Sequence, residues 1–289
     1  MINIFIPTDF SAHAAAALQL SIEFVKKNGG TLHLAHGFSP GDELIADMAA
    51  PFQGVPGSMS AEQVNSFIQD RVQSIKENLA TLKKETEAKG VTVETHLLEV
   101  GNMEGISEKA DSLDCQLVVM GSKGAHGLGE KLIGSNAQRF IRYSKIPVLV
   151  CKSERQGASM YNVAFCSNFK NEGEKAIYSK YRDLFSKFPL HTHFLYVNTP
   201  GRFEPSPVSQ EKMHDFLKDT WPSSYETHVY NDYSIEEGIL NFAETHDIDM
   251  IVMATHGNVG LKRVFTPSTT ESIINHSNIP VLSFNLQKG

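Results

Sequence analysis

No apolar run in this chain approaches the roughly 18 residues that carry a helix across a bilayer. Cationic excess is missing too. The 26 lysines and arginines are outnumbered by 33 aspartates and glutamates, for a formal charge of −7 with histidines neutral. Such an acidic surface disfavours non-specific binding to nucleic acid or to an anionic membrane, so neither is expected as a partner. Cysteine is scarce: Cys115, Cys151 and Cys166 lack metal-ligand spacing and lie in or beside apolar runs. They are expected to be buried reduced thiols, and a cytoplasmic location is the default that goes with them. The opening Met1–Pro7 has no basic region and reads as a strand, not a signal peptide. The twelve histidines form no H-x-x-x-H pair and no Cys/His cluster along the sequence, so no protein-built metal site is expected. Also missing are a Gly-x4-Gly-Lys-Ser/Thr loop and a legible Ser/His/Asp or Cys/His set at strand ends, which leaves an enzyme reading weak.

What remains is an ordinary soluble composition, 41% hydrophobic and 20% charged over 289 residues, long enough for two domains. Ile4–Ile6 reads as a buried strand. Ser11 is placed to cap a helix over 12–27, ended by Asn28-Gly29-Gly30. A strand over 31–36 follows, then an irregular segment from Phe38 to about Ser60 that reads equally as a lid, a partner-binding flap or a loose loop. A helix over 61–89, a strand over 91–98, a helix over 103–113, a strand at 117–120, a helix near 136 and a strand at 147–150 complete the unit. The order is βαβαβαβαβ, which predicts a mostly parallel sheet with helices on both faces.

The same plan then runs again. Asn162–Phe165 overlays Asn3–Ile6, Asn168 falls where Asp9 stands, and Glu237-Gly238-Ile239 matches Glu104-Gly105-Ile106. Ile279-Pro280-Val281-Leu282 likewise matches Ile146-Pro147-Val148-Leu149. We therefore expect domains at 1–154 and 160–289, joined by a linker at 155–159. Their fifth strands, near 148–150 and 281–283, are candidate edges for pairing.

The most informative stretch is Met120-Gly121-Ser122-Lys123-Gly124, with Gly134-Ser135 after a further nine residues. It joins an apolar strand to a helix start. Glycines permit close backbone approach, and a helix N-terminus offers unpaired N–H groups, so the junction reads as a cradle for an anion. Ser135 is placed to cap a helix beginning near Asn136, whose backbone N–H adds a donor. The second copy keeps the spacing but carries Ala254 and Pro267 for the first and last glycines, and Pro267 has no N–H. Ser268 to Glu271 reads there as a capping box, with the Glu271 carboxylate folded toward the place of a phosphate.

Through these residues the chain resembles a tandem universal stress protein. That family's mark is Gly-x2-Gly-x9-Gly-Ser/Thr after the fourth strand, an Asp after the first, and Ile/Cys-Pro-Val opening the fifth. Gly121, Gly124, Gly134, Ser135, Asp9 and Ile146-Pro147-Val148 match it. The resemblance implies two tandem five-stranded, Rossmann-like α/β sandwich domains packed as an intrachain pseudo-dimer, with a homodimer beyond it an open alternative. It further implies ATP or another adenine nucleotide as ligand, with Mg2+ as an optional companion.

The cofactor-binding set expected on these grounds is Pro7, Thr8, Asp9, Gly37, Met120, Gly121, Ser122, Gly124, Gly134, Ser135 and Asn136. Asp9 reads either as a ligand to ribose or adenine or as a helix cap. Pro7 and Thr8 shape the same wall, and His36 and Gly37 end the second strand where a base meets main chain. Lys123 and Lys131 flank the cradle as solvated or phosphate-neutralising cations, and His126 reads as a loop residue. No catalytic residue is assigned. The expected function is a stress-response regulatory module that binds nucleotide in its first half, with a structural or partner-binding second half. The alternatives are a slow ATP hydrolase and a nucleotide-independent dimerising scaffold.

Overall fold

A computed structural model describes residues 1–41, 60–99, 103–122, 134–152, 160–170, 173–218, 225–255 and 269–285. The expected linker, the cradle positions 123–133, the Pro267-Ser268 pair and most of the irregular 38–60 segment lie outside these residues.

The first half runs β1 (Ile2–Pro7), α1 (Ala12–Asn28), β2 (Gly30–Phe38), α2 (Ala61–Glu87), β3 (Thr92–Glu99), α3 (Met103–Ser112), β4 (Leu117–Gly121), α4 (Ser135–Tyr143) and β5 (Val148–Cys151). The second runs β6 (Asn162–Cys166), α5 (Gly173–Phe185), β7 (His191–Asn198), a 3-10 turn at Pro200–Arg202, α6 (Ser206–Leu217), β8 (Glu226–Asn231), α7 (Ile235–Thr245), β9 (Met250–Thr255), α8 (Thr269–His276) and β10 (Val281–Asn285). The alternation inferred from sequence is present in both.

All ten strands form one sheet in the order β3-β2-β1-β4-β5-β10-β9-β6-β7-β8. Within each half every pairing is parallel; between the halves, β5 and β10 run antiparallel with Leu149 opposite Leu282. Those two leucines occupy equivalent positions of the repeat, so a local two-fold axis passes between them. The contacts beside the seam follow it. Lys152 Nζ donates to the Asn275 carbonyl at 3.3 Å, and Asn285 Nδ2 donates to the Arg142 carbonyl at 3.2 Å. Lys152 and Asn285 are equivalent positions, as are Arg142 and Asn275.

Alternation along the strands sends side chains to two apolar layers. One joins Ile4, Leu32 and Val119 to Phe24 and continues into Phe165, Phe194 and Phe185 of the second half. The Phe24 ring meets those of Phe185 and Phe188 at 5.2 and 4.6 Å, so α1 packs on α5 across the seam. The other layer holds Phe5, Val118 and Met120 under Ile106, Phe140 and Ile141, with Ile239, Phe242 and Ile273 as counterparts. Full burial of one such side chain is worth about 1.5–3 kcal/mol, so a layer spanning both halves ties them firmly.

Local signals explain the element ends. The Ser11 hydroxyl accepts from Ala14 N–H at 3.2 Å and caps α1 as expected. Gly30 opens β2 at φ +136°, where an added β-carbon would fall on the Ile2 carbonyl. The strand begins one residue before and ends two beyond the span read from sequence. Ser60 and Gln63 form a reciprocal capping box at the start of α2.

Candidate functional site

Strand order reverses between β1 and β4, which makes their carboxyl ends the switch point where open α/β sheets bind ligands. The first wall of the site is the turn after β1. Thr8 is buried, and its N–H donates to the Ala35 carbonyl at 2.8 Å. Its Oγ1 accepts from Phe10 N–H and Asp9 Oδ1 accepts from Ser11 N–H, both at 3.1 Å. These two side-chain bonds hold Phe10 at φ +62°, a region that non-glycine residues seldom occupy. The Phe10 ring stacks on His36 at 5.0 Å, and His36 Nδ1 donates to the Thr8 carbonyl at 2.8 Å. Pro7 closes β1 opposite Ala35, and Gly37 lies exposed in β2 opposite Leu98.

The second wall is the β4–α4 junction. Ser122 N–H donates to the Cys151 carbonyl and Gly134 N–H donates to the Ser122 carbonyl, each at 2.8 Å. The latter bond pins the first turn of α4 against the end of β4. Ser122 is fully buried, yet its hydroxyl has no hydrogen-bond partner among the described residues. An unpaired buried hydroxyl is costly, which makes it a natural point for a ligand to engage.

Four expectations need adjustment here. The helix starts at Ser135 with Gly134 as its N-cap, so Ser135 is the first helical residue and not the cap, and Asn136 is the second. Gly134 sits at φ −59°, so its value there is space and a donor and not left-handed geometry. Gly121 has a packing reason of its own: an added β-carbon would lie 2.6–2.8 Å from His13 of α1. The Met120 side chain is buried in the core, which leaves only its backbone to face a ligand. Gly124, Lys123, Lys131 and His126 lie outside the described residues.

The second half copies the first wall. Phe169 N–H donates to Ser167 Oγ at 2.8 Å, Lys170 N–H donates to Asn168 Oδ1 at 2.9 Å, and Phe169 takes φ +54°. The adjoining corner is built differently. Glu204 accepts from Lys170 Nζ at 2.8 Å, from Lys212 Nζ and from Ser209 Oγ, while Asn198 clamps its backbone. Hydrogen bonds from the two lysines hold the Glu204 carboxyl down to about 2. Lys212 also lies 3.9 Å above the Tyr196 ring, at the position equivalent to His36.

Glu271 has a partner that the local motif does not show. Its nearly buried carboxylate accepts two bonds from Arg142 of the first half, Nε to Oε1 at 2.6 Å and a terminal nitrogen to Oε2 at 2.7 Å. This bidentate pair crosses the seam beside β5 and β10 and keeps the guanidinium charged. The capping partner proposed for Glu271, Ser268, is outside the described residues.

The three cysteines are free and buried, as expected. Burial pushes the Cys115 and Cys151 thiols up to about 12 and raises Cys166 as well, so none is poised as a thiolate nucleophile. In space, however, the histidines gather in groups that their linear spacing does not show. His33 and His96 gather with Glu94, and His191, His193 and His228 with Glu226. Sequence spacing hides both groups because their members sit on neighbouring strands. Among the described residues no helix is long and apolar enough to cross a membrane.

Comparison with known proteins agrees with this architecture. The model of the universal stress protein family matches residues 1–152 and 204–284. Universal stress protein MJ0531 of Methanocaldococcus jannaschii is 31% identical over 154 residues, 53% of this chain and 84% of its own. Universal stress protein Slr1230 of Synechocystis is 22% identical over 298 aligned positions, covering 98% of this chain and all of its own. The fold is matched over 99% of this chain and 98% of the other by a crystal structure of a universal stress protein from Archaeoglobus fulgidus, with a TM-score of 0.73 at 18% identity. With its family model matched in both halves and one repeated strand order throughout, the chain belongs to the universal stress protein family.

Proposed function

We propose that the first half binds ATP or a related adenine nucleotide between the Thr8–Ser11 turn and the Ser122–Gly134 junction, and that the protein acts as a nucleotide-responsive regulatory module. The observation that carries this reading is the Ser122–Gly134 junction. One backbone bond holds a helix N-terminus at the switch point, beside a buried hydroxyl without a partner among the described residues. First-turn N–H groups lack intrahelical acceptors and carry the positive end of the helix dipole, so phosphate oxygens suit them. Asp9, whose Oδ1 accepts from Ser11 N–H, brings a carboxylate to this wall, the acceptor type that ribose or adenine donors require. Pro7, Thr8, Gly37, Gly121, Gly124, Ser135 and Asn136 complete the proposed lining through backbone groups, and Mg2+ would accompany the phosphates.

The second half, taken as residues 160–289, serves in this reading as a structural partner of residues 1–154. The antiparallel seam and its paired contacts support treating the two as an intrachain pseudo-dimer. A cytoplasmic setting fits the buried free thiols. Calorimetric titration of the full chain with ATP and with AMP tests the reading, together with mass spectrometry of ligand released from purified protein. One nucleotide per chain is expected. No binding, or two equivalent sites, overturns the assignment.

A further inference from the structure

Each half builds the same polar cluster on the outer strand pair of its sheet. On β2 and β3, His33 Nδ1 lies 3.1 Å from His96 Nε2 and 3.4 Å from a Glu94 oxygen. On β7 and β8, His193 Nδ1 lies 3.0 Å from His228 Nε2, and Glu226 Oε2 lies 3.7 Å from the first and 3.4 Å from the second. His191 adds its Nε2 at 3.0 Å from Glu226 Oε1. Register produces both groups. Parallel pairing sets His33 opposite Glu94 and His193 opposite Glu226, and the next residue on that face of the outer strand is His96 or His228. The sequence accordingly repeats Glu-Thr-His at 94–96 and 226–228.

We propose that these clusters are two divalent-metal sites suited to Zn2+, formed by His33, Glu94 and His96 in the first half and by His193 and Glu226 with either His191 or His228 in the second. Imidazole nitrogen with carboxylate oxygen is a donor set that zinc prefers. Ligands about 2.0–2.1 Å from one tetrahedral ion stand about 3.4 Å apart, within the spread seen here. Without a cation the arrangement is awkward. In each cluster two ring nitrogens and a carboxylate converge where one proton can be shared, whereas a cation satisfies all three. Glu94 and Glu226 are half exposed, which gives an ion a route from solvent.

The two sites should differ in affinity. Lys109 of α3 presents a positive charge to His33 and His96. Over the second cluster α7 places Phe242 at 4.9 Å and His246 at 5.5 Å from the His228 ring, and His191 and His228 are alternative third donors. The second site is therefore the tighter one.

The inference is independent of the nucleotide reading, and its test uses no nucleotide. The full chain is stripped with chelator and titrated with Zn2+ by calorimetry, and Co2+ absorption reports the ligand field. Two ions per chain are expected, with the second-half site at least tenfold tighter. His193→Gln/His228→Gln should remove that site and leave the other, and His33→Gln/His96→Gln should do the converse. Glu226→Gln changes a half-exposed side chain, so it keeps the fold and should weaken the tight site at least tenfold. Absence of uptake, or uptake unchanged in Glu226→Gln and in the folded double variants, overturns the proposal. A single ion lost only with His193→Gln/His228→Gln overturns the first-half site and upholds the second.

Discussion

The turn after the first strand has one shape in both halves, yet its surroundings are finished in two ways. Thr8 and Ser167 each accept from a phenylalanine N–H, Asp9 and Asn168 each accept from the residue two further on, and both phenylalanines take positive φ. In the first half Phe10 is partly exposed and stacks on His36. In the second, Phe169 is buried against Phe194 and Phe216, and an ion-pair network centred on Glu204 occupies the adjoining corner. Shape alone therefore does not separate a binding turn from a structural one. Charge, spare donors and what fills the neighbouring corner do.

The largest expected effect comes from making the first half resemble the second at one residue. Gly134 already has a φ that proline adopts, so Gly134→Pro should fold while losing the N–H that reaches Ser122. Nucleotide affinity should fall more than a hundredfold, read by calorimetry, with circular dichroism unchanged. Equal affinity in a folded variant would remove the contrast between the halves.

Next in size is the pair across the seam. Arg142→Ala removes the bidentate partner of a Glu271 carboxylate that is 4% exposed, and losing one partner of a buried pair costs about 3 kcal/mol. Glu271→Gln should cost less, because Arg142 is 38% exposed and can turn to water. Urea melts of the two variants check the order, and the reverse order would place the burial on the wrong partner.

A smaller effect is expected from Asp9→Asn, which copies Asn168. The amide oxygen can still accept from Ser11 N–H, as Asn168 does from Lys170, so stability should hardly move. Nucleotide binding should weaken about tenfold, or about 1.4 kcal/mol, through loss of a charge-assisted bond.

The smallest effect is an acid response confined to the second half. The Glu204 carboxyl sits at about 2 against an ordinary 4.5, so its contribution is complete above pH 4.5 and drains as pH falls toward 2. Glu204→Gln should flatten that part of the stability profile, measured by denaturant midpoints between pH 5 and 3. An unchanged slope would show that the network adds nothing.

The fold was largely legible in the sequence because the chain states it twice. Strand periodicity, helix caps and the repeated Ile-Pro-Val-Leu placed the elements, and the two fifth strands do pair as anticipated. What sequence hid was contact between residues far apart along the chain. Glu271 fits a local capping motif, and its carboxylate also bonds Arg142 at a separation of 129 residues. His33 and His96 are 63 residues apart and meet only through strand register. Gly121 has a packing reason as well as its place in the glycine motif, because an added β-carbon would meet the helix residue His13. Local motifs carry local geometry, and these three cases turn on packing partners that no window of sequence contains.

The seam between Leu149 and Leu282 has a consequence for biosynthesis. Val281 follows Cys151 by 130 positions, so β5 leaves the ribosome on the order of ten seconds before β10 can pair with it. During that interval its open edge is a template for another strand. Val148-Leu149-Val150 is its own antiparallel complement, since Leu149 would lie on the axis of a self-pair just as it lies beside Leu282. A chain stalled or truncated after the first half therefore exposes an edge that fits a second copy of itself.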